Sequence, residues 1–198
     1  MSRSPVHVRD AVPDDARALI EVWGEFRRSG PERVGSSEEA EAAAASSIAR
    51  IAANPDERLV VGVIEDQVVG AAHLVRAPLS PIHPEAAIHI SHLHVLGSRR
   101  RLGVGKALIE AAVTWGEEKD TSHLLAAASV SSRDANRFMA RLGLAQVATV
   151  RGATIPALRA KLPVEPPAAA MVTSRNHRSV GHVLAQRRMQ RRVQAKVD

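Results

Sequence analysis

A chain of 198 residues with 45% hydrophobic side chains has room for one domain of ordinary size and some additional sequence. It contains no Cys, which excludes disulfides, thiolate metal sites and a covalent Cys nucleophile. The formal charge of +6 sits in one segment: residues 171–198 hold Arg175, Arg178, Arg187, Arg188, Arg191, Arg192 and Lys196 against Asp198 alone, so residues 1–170 are neutral.

Aromatic residues make up 2% and are confined to Trp23, Trp115, Phe26 and Phe138, so Ala, Val, Leu and Ile must fill the core. There is no apolar run after Arg3 of the kind a secretory signal needs, and no stretch approaches the about 18 apolar residues of a membrane span. A cytoplasmic protein without membrane association is expected.

In chain order, Val6–Asp10 reads as a first strand, and Pro13, Asp14 and Asp15 as a helix start. Leu19, Val22, Trp23 and Phe26 then recur on one helical face until Gly30 and Pro31. Ser36 to Glu39 resembles a capping box and opens an Ala-rich helix that runs to about Ala53, before Asn54 and Pro55. Leu59–Ile64 and Val68–Val75 read as a hairpin with both faces partly buried. Ala86–Leu96 is a further strand whose alternation breaks near His92–His94, which predicts a bulge.

After Gly97–Lys106 comes a helix with Val104, Leu108, Ala111 and Trp115 on one face. His123–Ala128 reads as a strand, and Ser131 or Ser132 as the cap of a helix with an apolar face of Ala135, Phe138, Met139 and Leu142, stopped at Gly143. Ala145–Val150 reads as another strand, and Ala153–Leu162 as a last edge strand or turn. The predicted domain covers 1–162, a Pro- and Ala-rich linker 163–170, and a basic tail, helical in pattern, 171–198. The order β-α-α-β-β-β-α-β-α-β implies a mixed α/β (α+β) sheet covered by helices.

The segment Arg100, Arg101, Leu102, Gly103, Val104, Gly105 stands between a strand and a helix. Such a turn leaves backbone N–H groups unpaired at the positive end of the helix dipole, and glycine lets a phosphate approach closely. The arginines and Lys106 add to that field, so the segment reads as a pyrophosphate cradle; the alternative is a glycine turn with solvated arginines. Arg100 and Ala107 exclude a P-loop, and Leu108 excludes a dinucleotide fingerprint beginning at Gly103.

Arg100-x-x-Gly103-x-Gly105 resembles the Q/R-x-x-G-x-G/A signature of the GNAT (Gcn5-related N-acetyltransferase) family. Leu93-His94-Val95 resembles the end of that family's bulged fourth strand, Val8 to Asp15 its opening, and Ala135, Gly143 and Leu144 its later A…GF-type motif. The resemblance covers roughly residues 6–150 and implies a mostly antiparallel sheet splayed at the bulged strand. Acetyl-CoA would lie in the gap, with the pantetheine arm against the backbone of Leu93, His94 and Val95 and the pyrophosphate on the amides of Arg100–Lys106. It implies acetyl transfer to an amine of a small molecule or a peptide without a covalent enzyme intermediate.

That chemistry needs a neutral amine, and an amine of pKa about 10.4 is neutral on the order of once in 10³ molecules at pH 7. The oxyanion needs a donor, for which a backbone N–H near Val95 is the candidate. For the base the bulged strand offers His89, His92 and His94; His92 ranks first because it lies at the expected bulge, His89 second, and His73 and His83 receive no role. Tyr, the family's usual acid, is replaced at its position by Met139, and the helix-start Asn by Ser132, which is carried over as a cofactor contact; Asn136 is out of register. No metal is expected, since the histidines lack completing ligands. A non-catalytic CoA-binding or nucleic-acid-associated module is the alternative function. The tail would bind nucleic acid weakly, or would dock Val180, Val183 and Leu184 on the domain or on a second copy as a homodimer.

Overall fold

The computed structural model describes residues 5–27, 36–82 and 84–162, with the side chains of residues 25–27 left outside the description. The expected helix end at Gly30 and Pro31, the side chain of Phe26, His83, the linker and the tail therefore lie outside the described residues. The described residues fall into two compact units that divide between Ala145 and Gln146.

The first unit opens with strand β1 (His7–Asp10), a 3-10 turn at Pro13–Asp15 and helix α1 (Ala16–Arg27). Arg9 clamps the buried Asp15 carboxylate through two hydrogen bonds of 2.6 and 2.8 Å, and the Val12 N–H donates to the same group at 2.8 Å. This bidentate contact ties the strand to the helix start. Helix α2 (Ser37–Ala52) begins with the expected capping box: Ser36 Oγ accepts from Glu39 N–H at 3.2 Å, and Glu39 accepts from Ser36 N–H at 3.3 Å.

Strands β2 (Glu57–Ile64) and β3 (Gln67–Pro78) form the hairpin, turning through Glu65 and Asp66 at φ 51° and 60°. Strand β4 (Ala86–Val95), a 3-10 turn at Gly97–Arg99, helix α3 (Val104–Glu118), strand β5 (His123–Ala126) and helix α4 (Arg133–Arg141) follow. The sheet has five strands in the order β1-β2-β3-β4-β5, antiparallel throughout except for the parallel β4–β5 pair. Helix α3 supplies the crossover that this one parallel pair requires.

Each face of the sheet has its own core. On one, Leu19, Val22, Ile48 and Ile51 of α1 and α2 cover Leu59, Val61 and Ala71. On the other, Val104, Leu108, Ala112, Trp115 and Met139 of α3 and α4 cover Val60, Leu74, Ile88 and Ile90. Each fully buried large aliphatic contributes about 1.5–3 kcal/mol over an exposed one. The buried stripe of α3 includes Ile109 and Ala112 where Ala111 was expected, and Leu142 of the predicted α4 face is 39% exposed.

Two expectations are corrected past Gly143. Residues 145–150 form no strand, and Val147 and Val150 are 77% and 89% exposed. Spaced three apart, they point to opposite faces of an extended chain, so neither face would carry an apolar row to bury. Residues 153–162 contain a helix, α5 (Ile155–Arg159), and not an edge strand. Thr154 caps it by accepting from Ala157 N–H at 3.3 Å, and Pro156 stands in its first turn; both are helix-start signals.

Candidate active site

The predicted bulge is present, and it decides which way β4 faces. Ser91 pairs with His73 and His94 with Ala71, so His92 and Leu93 stand opposite Ala72 alone. Up to Ser91 the odd residues of β4 share the α1/α2 face, while Ile88 and Ile90 enter the α3/α4 core. Past the bulge Leu93 and Val95 pack on the α3/α4 core, and His94 pairs with Ala71 of the opposite core. His92 absorbs the change at φ 54°. Such a backbone costs a non-glycine residue about 1–2 kcal/mol and persists only where surroundings enforce it. Here the His92 carbonyl accepts from Trp23 Nε1 at 2.7 Å, and the two rings meet edge to face with centroids 6.5 Å apart.

At the same level β4 parts from β5. Their pairing runs from Ala87–His123 to Ile90–Ala126 and closes with Ala127 N–H donating to Ile90 at 3.1 Å. Beyond this, β4 continues to Val95 while the other chain turns toward α4. Leu93, His94 and Val95 therefore lie along β3 on one edge and run past the last β5 pairing on the other.

The loop that follows delivers α3 to this gap. Arg101 (φ 63°) and Gly103 (φ 94°) are both left-handed, and Gly103 is the N-cap. The ladder of α3 starts with Ala107 N–H to Gly103 O at 3.0 Å, so the amides of Val104, Gly105 and Lys106 precede its first bond. Arg101, Leu102 and Lys106 are exposed around them, as is Arg100, whose Nε lies 3.5 Å from the Val95 carbonyl. The two loop glycines have different duties. A Cβ on Gly103 would meet nothing within 4 Å, whereas one on Gly105 would meet the Phe138 ring of α4 at 3.4 Å.

Two glycines that sequence reasoning overlooked fix the height of this helix end. Gly62 and Gly70 pair across β2 and β3, and a Cβ on either would stand 2.7 or 2.9 Å from Val104 Cγ1. Val104 therefore rests directly on the sheet backbone. Glycine inside a strand is the sequence signal for such close approach, but it does not say what approaches.

On the α1/α2 side, a cavity of about 460 Å³ is lined by Leu19, Ile20, Trp23, Ile48, His73 and His92, with Arg50 as its one fixed charge among the described residues. His73 is held between two partners, Glu57 Oε2 at 3.1 Å from Nε2 and the Ser91 hydroxyl at 3.3 Å from Nδ1. The His73 hydrogen bond holds the Glu57 carboxyl below the usual carboxylate range, burial opposes this, and Asn54 and Arg50 assist.

Over residues 19–144 the chain matches the model of the acetyltransferase (GNAT) family. The chain belongs to that family. It is accordingly an N-acetyltransferase, and the open, mostly antiparallel sheet with flanking helices is the GNAT fold. Solved structures agree on the fold. Glucosamine-6-phosphate N-acetyltransferase from Arabidopsis thaliana is 16% identical, with a TM-score of 0.61 over 76% of this chain and 99% of that one. Ribosomal-protein-alanine N-acetyltransferase from Brucella melitensis is 17% identical, with a TM-score of 0.58 over 76% and 98%. The aminoglycoside N-acetyltransferase AAC(6')-Iy, solved in complex with CoA, is 16% identical, with a TM-score of 0.61 over 76% and 95%. No curated protein matches the chain.

Several residues singled out on the GNAT pattern have local duties. Ser132 caps α4, its Oγ accepting from Ala135 N–H at 3.4 Å. Asn136 donates to the Ser129 and Ser132 carbonyls at 2.8 Å each and so braces the same turn. Met139, at the position of the family's Tyr, is buried in the α3/α4 core. His89 is half-buried, and its Nε2 is enclosed without a hydrogen-bond partner. His92 alone of the predicted strand histidines lines the cavity, where it is joined by His73, which the sequence left without a role.

Proposed function

We propose that the protein transfers the acetyl group of acetyl-CoA directly to the amine of a small molecule with an apolar body. The observation that carries this reading is the cavity, which meets the bulged strand at His92, two residues past the last β4–β5 pair at Ile90. Acetyl-CoA supplies an acyl thioester. The backbone of Leu93, His94 and Val95, extending past the end of β5, suits its pantetheine arm. The amides of Val104, Gly105 and Lys106, with Arg100, Arg101 and Leu102 around them, suit its pyrophosphate.

The size of the cavity suits a small ligand, and its wall is mainly aliphatic and aromatic. Among the described residues no carboxylate lines it, so nothing there would neutralise a polycation. An apolar site also lowers the pKa of an entering amine, because burial penalises its charged form. The amine proton must pass to a nearby side chain. The strand position puts His92 first and His89, which lies outside the cavity lining, second; His73 lines the cavity with His92 and joins them. Weak binding of nucleic acid through residues 171–198 is proposed on their charge alone.

Release of CoA with a panel of amines tests the reading. Primary amines on alkyl or aryl bodies are expected to give the highest kcat/KM. Preference for polyamines or aminoglycosides would reject the apolar acceptor while keeping acetyl transfer.

A further inference from the structure

We infer that the proton leaving the acceptor amine is kept by a three-residue relay, Ser91–His73–Glu57, with His73 as the imidazole that holds it. This rests on the proposed transfer to an amine in the cavity and specifies the chain's part in it.

The geometry sets the direction of the relay. A carboxylate only accepts hydrogen bonds, so the His73 Nε2 facing Glu57 at 3.1 Å carries the hydrogen. Nδ1 is then the basic nitrogen, and it faces the Ser91 hydroxyl at 3.3 Å, which donates to it. Ser91 is not itself in the cavity lining but adjoins two residues that are, His73 as its register partner and His92 as its neighbour in sequence. A proton that reaches its Oγ from the ammonium group lets the Ser91 hydroxyl proton pass to Nδ1. The amine becomes neutral, His73 becomes imidazolium, and Glu57 stands beside the new charge. Ser91 ends with one hydrogen, as it began, so atoms and charge balance.

Position supports the assignment. Ser91 and His73 are register partners on β4 and β3, and Ser91 is the residue immediately before the bulge. Glu57 lies 16 residues before His73, on β2. The charged and titratable groups around His73 are Glu57 on β2, Arg50 on α2 at 3.8 Å from Glu57, and His92, which lines the same cavity, with His89 and His94 on the same face of β4. Of these only Glu57 can stabilise an imidazolium, and it bonds directly to His73. His92 instead places its carbonyl and ring against Trp23, which suits a wall of the acceptor site.

Three variants and a rescue test the relay, each measured with the amine on which the wild type is fastest. H73A is expected to lower kcat/KM by about 10²-fold or more, and S91A and E57Q by about 10-fold or more, with acetyl-CoA affinity unchanged. Added imidazole should restore part of the H73A rate, which a merely structural loss would not allow. Cofactor-free wild-type protein should show a downfield, exchange-protected imidazole N–H proton by NMR that disappears in E57Q and H73A and persists in S91A. Wild-type activity in folded H73A, or a loss that imidazole does not touch, overturns the relay. Should H73A fail to fold, full activity of S91A overturns it. A wild-type protein that releases no CoA with any amine overturns the transfer reading and the relay together.

Discussion

The Trp23 indole N–H donates to the His92 carbonyl at 2.7 Å, so a side chain of α1 pins the one residue at which β4 exchanges its faces. The link spans 69 residues of sequence and joins the wall of the cavity to the strand edge proposed for the cofactor. Trp23→Phe keeps an aromatic ring and removes the donor. Stability should fall by about 0.5–1.5 kcal/mol, the net worth of one hydrogen bond. Acceptor kcat/KM should fall further than this implies, because His92 would lose what holds its left-handed backbone. Denaturant unfolding and amine kinetics on the same sample check both; unchanged kinetics would show that the bulge holds itself.

Gly70 offers a sharper probe of how the Arg100–Lys106 loop is seated. A Cβ there would stand 2.9 Å from the His94 carbonyl oxygen and 2.9 Å from Val104 Cγ1, pressing on the bulged strand and on α3 at once. Gly70→Ala should cost about 1–3 kcal/mol, as overpacking does, and should weaken acetyl-CoA binding. Gly24 of α1 is the control. A Cβ there meets nothing within 4 Å, and Gly24→Ala should stabilise the helix by about 0.5–1 kcal/mol without altering binding. Thermal melts with calorimetric titration of acetyl-CoA decide; equal effects of the two variants would refute the seating of Val104.

The loop glycines should separate in the same assay. The Cβ of Gly103→Val meets no atom within 4 Å, but the change forces a β-branched residue to φ 94° at the helix end, so acetyl-CoA affinity should drop by about 10-fold or more. Gly105→Ala adds a methyl 3.4 Å from Phe138, which a small ring shift can absorb, and should leave affinity nearly unchanged. The reverse order would move the pyrophosphate to Gly105.

What could be read from sequence was local. The Ser36–Glu39 box, the Ser132 cap, the stop at Gly143 and the bulge near His92 are each written in a few adjacent residues. The contacts that arrange the site are not. His73 meets Glu57 and Ser91 across two strand pairings, and only the register that sets Ser91 opposite His73 reveals the three as a group. Gly62 and Gly70 look like weak strand residues until Val104 is placed on them. Beyond Gly143 the expectations failed because 145–150 has no apolar alternation to commit it to a sheet, while the Thr154 cap and Pro156 commit the next segment to a helix.

Acid should weaken the tie between β1 and the first helix. Arg9 holds the Asp15 carboxyl below its ordinary range, burial opposes this, and the Val12 N–H assists. A depressed folded-state pKa stabilises above the unfolded value of about 3.9, and this is lost as pH falls through the lower folded value. Asp15→Asn should cost about 1–3 kcal/mol at neutral pH, since it leaves Arg9 without its charged partner. The gap between wild type and variant should close as pH drops below about 4. Melting temperatures of both proteins across pH 2.5–7 check this; a gap that stays constant would show that the Asp15 charge contributes nothing.

The basic segment yields the last prediction. Residues 171–198 carry seven cationic side chains and one acidic one, while residues 1–170 are neutral overall, so this segment is the first candidate for attraction to a polyanion. Each phosphate neutralised on duplex DNA releases counterions and adds about −0.9 to the slope of log K against log salt. Binding of the full-length protein to DNA should therefore be weak at physiological salt and should fall by orders of magnitude between low and moderate salt. Replacing Arg187, Arg188, Arg191 and Arg192 together by Gln should make the slope shallower by about 0.9 for each phosphate that these arginines neutralise, and acetyl-CoA affinity should not change. Fluorescence anisotropy over a salt series, with calorimetry on both proteins, measures the two effects separately. An unaltered slope would assign the DNA-binding surface to residues 1–170, where Arg99, Arg100 and Arg101 form the nearest alternative cluster and where DNA would then compete with acetyl-CoA.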